Sequence, residues 1–175
     1  MIELTPFGRS DFEQLIGWIP TADFLMQWTG LVFTFPLIPD QLEKHLVFAE
    51  TNPDRRKIWN AASNNEVVGH IELDNIWKHD RKATLCRVII DPARRGEGFG
   101  AAMVQRVLQY GFEELNLHRI DLSVWDFNTQ AIKCYEACGF VREGLQRECR
   151  RMDTQWWSNV QMNILSTNGA SAKGD

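Results

Sequence analysis

The stretch Arg94-Arg95-Gly96-Glu97-Gly98-Phe99-Gly100 constrains this chain most, because an apolar, strand-like run from Leu85 to Ile90 leads into it and an amphipathic helical pattern leaves it. Glycine lets the backbone take positive φ and lets a ligand approach the main chain closely. The first N–H groups of a helix have no partner inside the helix, and the helix dipole favours negative charge there. A strand-to-helix turn of this composition, with two arginines beside it, is therefore a cradle for an anion such as a pyrophosphate. A glycine-rich turn standing alone is just as often an ordinary turn, so the flanking residues have to decide.

Downstream, Met103, Val104, Val107, Leu108, Phe112 and Leu115 recur at helical spacing, with Gln105, Arg106, Gln109 and Glu113 on the other side. Arg119 to Trp125 alternates as a strand, and Asn128 to Cys138 reads as a second helix stopped by Gly139. Upstream, Ile2 to Phe7 is a short strand. Helices are predicted from Ser10 or Asp11 to Trp18, from Thr21 or Asp23 to Trp28, and from Asp40 to about Phe48. Lys57 to Ala62 and Val67 to Leu73 form a hairpin across Ser63 to Glu66, followed by a polar Asn75 to Asp80 connection and a strand from Arg81 to Ile90 that Pro92 ends. Phe140 to Arg147 and Trp156 to Leu165 close the chain as an antiparallel pair. The reading is one domain over residues 1–165, with 166–175 a flexible tail poor in large apolar residues.

With 175 residues, 44% of them hydrophobic, the chain can bury a sizeable core. A net charge of −4 argues against a nucleic-acid surface, which needs clustered Lys and Arg. No apolar run approaches the roughly 20 residues that span a bilayer, and the N-terminus carries no basic-then-apolar signal, so a cytoplasmic protein without a membrane partner is expected. The four cysteines show no C-x-x-C pair and are expected to be reduced and mostly buried.

Arg95-Gly96-Glu97-Gly98-Phe99-Gly100 fits the pattern Arg/Gln, two residues, Gly, one residue, Gly/Ala, with Ile89-Ile90-Asp91-Pro92 before it. A later block, Asn128 to Phe140, reads NTQAIKCYEACGF. Together they resemble the GCN5-related N-acetyltransferase (GNAT) superfamily. The phrase Gly139 to Gly144 and the final Met162-Asn163-Ile164-Leu165 resemble its branch of ribosomal-protein N-terminal acetyltransferases. A dinucleotide fingerprint fits less well, because Gly96, Gly98 and Gly100 are spaced by two and two and Asp121 lies in mid-strand. A Walker loop lacks its Gly-Lys-Ser/Thr.

The resemblance implies an α+β fold, a mixed and mostly antiparallel twisted sheet of about six to seven strands flanked by helices. It also implies acetyl transfer from acetyl-CoA to a primary amine, at a protein or peptide N-terminus or on a small molecule, in a ternary complex and with no metal. The pyrophosphate would rest on N–H groups from Arg95 to Ala101, involving Gly96, Glu97, Gly98, Phe99 and Gly100, with Arg94 and Arg95 adding charge. Pantetheine would pair between the strand ending at Ile90 and the strand Arg119 to Trp125. An N–H of Val88, Ile89 or Ile90 would face the thioester oxygen, worth roughly 3 kcal/mol, and Asn128 would cap its helix or meet the pantetheine arm.

Tyr135 matches the position of the acid that protonates the leaving thiolate. The strand before the glycine turn offers no carboxylate at Leu85, Cys86, Arg87 or Val88, where many members have one. The expected base is therefore Glu72, with His70 or a water chain as the alternatives. Trp18, Phe24, Trp28, Phe33, Phe35, Trp77, Trp156 and Trp157 are candidates for an acceptor groove built from the N-terminal helices, the Asn75 to Asp80 connection and the last hairpin. A monomer or homodimer is expected. The missing strand carboxylate also leaves open a non-catalytic acyl-CoA-binding module.

Overall fold

The protein, described over residues 1–169 of a computed structural model, is built on one seven-stranded sheet in the order β1-β2-β3-β4-β5-β7-β6. The strands are β1 (Glu3–Pro6), β2 (Lys57–Ser63), β3 (Glu66–Trp77), β4 (Lys82–Ile90), β5 (Arg119–Trp125), β6 (Val141–Met152) and β7 (Gln155–Leu165). All neighbours are antiparallel except β4 and β5. The helices are α1 (Phe12–Gly17), α2 (Ala22–Thr29), α3 (Pro39–Thr51), α4 (Phe99–Gln109), α5 (Thr129–Ala137) and the short α6 (Ser166–Gly169). This is the expected α+β arrangement.

Two apolar layers cover the two faces of the sheet. On one, Met103, Val104 and Val107 of α4 and Ile132 of α5 pack on Ile71 and Leu73 of β3, Leu85 of β4 and Ile120 of β5. Each such side chain contributes roughly 1.5–3 kcal/mol by leaving water, so α4 is held by its stripe rather than by its cap. On the other face, Phe12 and Leu15 of α1, Leu25 of α2 and Leu42 and Leu46 of α3 form a second cluster with Ile58 and Ile89. The odd residues of β3 at 69, 71 and 73 serve the first layer, which leaves His70 and Glu72 on the α1–α3 side.

Several boundaries differ from the sequence reading; β6, expected to end at Arg147, runs on to Met152. β3 continues to Trp77, through the stretch expected to be a polar connection, because Ile76 is buried in the core and Trp77 pairs with Lys82. Helix α3 runs one turn further, to Thr51. Ser166–Gly169, inside the expected tail, forms a helical turn whose Ser166 N–H donates to His118 O at 2.9 Å, while residues 170–175 of that tail lie outside the described residues.

Candidate active site

β4 and β5 pair over only Lys82–Arg119, Ala83–Ile120 and Thr84–Asp121, then part. A cavity of about 740 Å³ fills the fork. Its walls are Thr84 to Ile90 on one side and Ser123, Val124 and Trp125 on the other; α2 supplies Phe24, Gln27 and Trp28, and α5 supplies Ala131, Cys134 and Tyr135. The Trp125 indole N–H donates to Gln27 O at 3.1 Å, tying the end of β5 to α2 across the fork. Strands that splay in this way leave main-chain groups free for an extended amide ligand to add itself as a short strand.

Register along β3 and β4 runs Gly69–Ile90 and His70–Ile89, then slips to Glu72–Cys86. The extra residue is Arg87, whose φ of 50° lies in the left-handed region. A bulge of this kind drops one residue out of the ladder and re-aims its neighbours, so the main chain from Arg87 to Ile89 is turned toward the cavity it lines. Arginine holds that conformation because its side chain is anchored in an ion cluster.

The cradle sits at the far end of the same cavity. Asp91 Oδ1 accepts from Ala93 N–H at 2.9 Å and fixes the turn after β4, and Gly96 and Gly98 both have φ of 83°, which a side chain at either position would strain. Gly98 is the N-cap of α4, with no side chain capping the helix, so the first N–H groups remain open. Gly100 is informative in another way. Its φ is ordinary, and a Cβ there would meet Cys134 Sγ at 3.6 Å, a normal contact. Nothing among the described residues therefore demands glycine at this position, and the space left open belongs to the cavity, which fits a phosphate drawn up against bare main chain.

Of the predicted cradle residues, Arg94, Arg95, Gly96, Gly98, Phe99, Gly100 and Ala101 line the cavity, and Glu97 does not. The Glu97 carboxylate instead accepts from Arg94 Nε at 3.0 Å, and Arg94 also reaches Glu66 at 3.0 Å. Among the described residues no carboxylate pairs with Arg95, whose guanidinium lies 5.6 Å from the Phe24 ring, so Arg95 is the freer of the two charges.

Asn128 caps α5 by accepting from Ala131 N–H at 3.3 Å and also lines the cavity, as do Val88, Ile89 and Ile90. The cap sets the helix so that Tyr135, two turns on, enters the cavity while its ring packs against Phe140 at 5.8 Å. Burial, helped by the nearby Cys134, Cys86 and Cys138 thiols, pushes the Tyr135 phenol upward, so it keeps its proton throughout the neutral range. Burial likewise pushes the Cys86 thiol up to about 12, which leaves it inert as a nucleophile.

Glu72 is absent from the cavity lining. It is 1% exposed, and its oxygens meet Arg87 Nε at 2.7 Å, His45 Nε2 at 2.9 Å and His70 Nε2 at 3.1 Å. Arg87 and Arg56 then share Asp74 Oδ2 at 2.7 and 2.8 Å. Because a guanidinium only donates, Arg56 Nη1 at 3.1 Å makes His45 Nδ1 an acceptor, so His45 donates to Glu72 from Nε2. Burial alone would raise the Glu72 carboxyl, but the Arg87 charge and the two imidazole donors hold it well below the usual carboxylate range. A carboxylate so engaged, and without an open face on the cavity, is a poor proton acceptor. Sequence places Glu72 on the correct strand but cannot show these partners, since His45 comes from α3 and Arg87 from the bulge.

A carboxyl depressed in the folded state stabilises the protein above its unfolded value, about 4.3, and that support is lost as the pH falls through the folded value. Glu72→Gln, which takes one of the two carboxylates from the buried Arg87 and leaves it only Asp74, is expected to cost about 3–5 kcal/mol at pH 7 and to flatten the acid decline of stability. Urea unfolding at pH 7 and pH 4 measures both. Equal midpoints for variant and wild type at pH 7 would contradict the network as drawn.

The aromatic candidates separate. Phe24 and Trp28 line the cavity, whereas Trp18 and Phe33 are buried in the α1–α3 cluster, and Trp77, Trp156 and Phe35 are exposed away from the lining. Trp77 lies beneath the Arg55 guanidinium at 4.5 Å, so the segment from Asn75 to Asp80 does not form a wall of the cavity. The sequence does not single out Trp125, because alternation alone marks it as the last residue of a strand. In the structure it lines the cavity and carries Trp157 against it at 5.2 Å.

Residues 22–140 match the model of the acetyltransferase (GNAT) family. A spermidine N(1)-acetyltransferase from Vibrio cholerae is 37% identical over 111 residues, covering 63% of this chain and 61% of the relative, so the match spans about three fifths of that relative's length. A spermidine N(1)-acetyltransferase from Escherichia coli is 28% identical over 144 residues, covering 82% and 74%. The solved structure of spermidine N-acetyltransferase from Vibrio cholerae in complex with CoA and spermine superposes with a TM-score of 0.83 at 26% identity, covering 97% of this chain and 98% of that one. These relatives turn the comparison toward polyamine acetyltransferases and away from the ribosomal-protein branch that the closing residues resemble. With a forked β4 and β5, a glycine cradle opening α4 and a family match across both signature blocks, the chain belongs to the acetyltransferase (GNAT) family.

Proposed function

We propose that the protein transfers an acetyl group from acetyl-CoA to a primary amine by direct attack within a ternary complex. The observation that carries this reading is the single cavity joining the glycine cradle, the bulged β4 main chain and Tyr135. Acetyl-CoA, when bound, supplies the activated thioester carbonyl. Main-chain N–H groups from Arg95 to Ala101 hold its pyrophosphate, and Arg95 adds charge from the side. The re-aimed main chain at Val88, Ile89 or Ile90 donates to the thioester oxygen as negative charge develops on it. Tyr135, protonated because it is buried, gives its proton to the departing sulfur. Holding both reactants in one cavity supplies roughly 7 kcal/mol or more of the barrier reduction.

For the acceptor, the similarity to spermidine acetyltransferases points to spermidine and spermine. One feature of the cavity favours a second class: Phe24, Trp28 and Trp125 offer aromatic faces, and no Asp or Glu is among its lining residues. Such a wall suits an amine with one positive charge beside the reacting nitrogen, as at a peptide N-terminus, better than a polycation. Incubation with acetyl-CoA and spermidine, spermine, an aminoglycoside and peptides with free Ala or Ser termini, followed by thiol release, tests both. Turnover of at least one amine is expected. CoA binding without release on any of them would favour an acyl-CoA-binding module instead.

A further inference from the structure

Among the described residues, the buried polar atoms without a hydrogen-bond partner include Nε1 of Trp28, which lines the cavity, and Nδ1 of His70, which packs behind it. Their rings pack edge to face, centroids 5.8 Å apart at 72°. The two atoms are chemically complementary. The indole N–H can only donate. His70 Nε2 lies 3.1 Å from Glu72 Oε1, and a carboxylate only accepts, so Nε2 carries a proton and, in the neutral ring, Nδ1 is the acceptor. Buried polar groups are satisfied in nearly all proteins, so a pair of this kind calls for a third group that accepts from one and donates to the other, and a water does both. Such a water keeps a second lone pair, and Trp28 lies on the cavity wall, so that lone pair is available to an ammonium arriving there.

We propose that His70 is the proton acceptor for the incoming amine, acting through a water held between its Nδ1 and the Trp28 indole N–H, with Glu72 as the residue that positions the ring. This rests on the acetyl-transfer reading above. In the step, an N–H bond of the ammonium breaks, its proton passes to the water, and a water proton passes to His70 Nδ1. The freed amine pair then attacks the thioester carbonyl, the carbon–sulfur bond breaks, and the sulfur takes the Tyr135 proton. The surplus proton on the new amide nitrogen restores Tyr135, and the proton on His70 returns to solvent.

The surroundings of His70 fit this role. Phe7 holds the ring at 4.7 Å, Ile89 faces it in register across β4, and the charge that meets the ring directly is Glu72. Behind Glu72 stand Arg87 and His45, with Asp74 and Arg56 beyond them. That cluster keeps Glu72 ionised, so a carboxylate waits to stabilise the imidazolium, as the third member of a nucleophile–base–orienter arrangement does.

The test is the pH dependence of kcat/KM for wild type, His70→Gln and Trp28→Phe, using spermidine or a Ser-terminated peptide, whichever turns over faster. His70→Gln keeps a donor toward Glu72 but takes no proton. It is expected to lower kcat about 100-fold at pH 7, with KM for acetyl-CoA unchanged within twofold and the deficit shrinking toward pH 10, where the amine arrives already neutral. Trp28→Phe removes only the N–H and is expected to cost about tenfold with the same pH trend. A deficit of equal size at every pH, or a kcat within twofold of wild type, overturns the proposal. If His70→Gln fails to fold, the Trp28→Phe profile decides it alone. Absence of turnover by wild type on every amine would instead sink the acetyl-transfer reading, while CoA binding by calorimetry reports separately on the cradle.

Discussion

Tyr135→Phe is expected to lower kcat by about 10²–10³-fold while leaving the affinity for CoA within a few-fold of wild type. The substitution removes one oxygen from a side chain that is 9% exposed and packed on Phe140, so the apolar stripe that holds α5 against the sheet survives. Thermal stability should therefore be nearly unchanged. What disappears is a phenol whose proton is retained by burial and whose position at the cavity is fixed by the Asn128 cap two turns earlier. A departing thiolate left without that proton must take one from water, which is slower because it is not positioned. Rapid-mixing measurement of thiol release at saturating acetyl-CoA isolates the effect. A variant with wild-type kcat would remove Tyr135 from the chemistry and reduce it to a core residue.

Gly100→Leu has the second large expected effect, and its signature is a separation of binding from folding. Leucine is a better helix former than glycine by up to about 1 kcal/mol, and position 100 has ordinary helical φ with a tolerable 3.6 Å contact for the new Cβ. The variant should thus unfold at the same temperature as wild type or slightly above it. Yet its side chain would stand where the pyrophosphate approaches the N–H groups of α4, so KM for acetyl-CoA is expected to rise at least about tenfold and calorimetric CoA binding to weaken in step. Gly98 makes a less clean test, because its φ of 83° would add backbone strain to any loss of binding. If Gly100→Leu binds CoA as wild type does, the cradle lies elsewhere.

Much of this site is legible in the sequence, and the parts that are not share a physical cause. The cradle is legible because its chemistry is local: a strand, a glycine turn and a helix N-terminus occupy consecutive residues. The fork between β4 and β5 and the placement of Tyr135 follow from the two signature blocks and the family they resemble. What stays hidden depends on residues that meet only in three dimensions. Glu72 looks like a free carboxylate on a strand until His45 of α3 and the bulged Arg87 close around it. The bulge itself has no signal, since Leu85 to Ile90 alternates too weakly to show that Arg87 is an extra residue. Asp74 and Asn75 look like turn formers, but Asp74 holds two guanidiniums and Asn75 takes φ of 49° inside a strand that continues to Trp77. Trp125 needs the hydrogen bond from its indole to α2 before it reads as part of a site.

Binding of the CoA nucleotide at the start of α4 is tested most directly by isothermal calorimetry, titrating CoA into wild-type and Gly100→Leu protein. One-to-one binding by the wild type, weakened at least about tenfold in a variant of equal thermal stability, is the predicted result. No heat from folded wild-type protein, or equal affinity in both proteins, would contradict it.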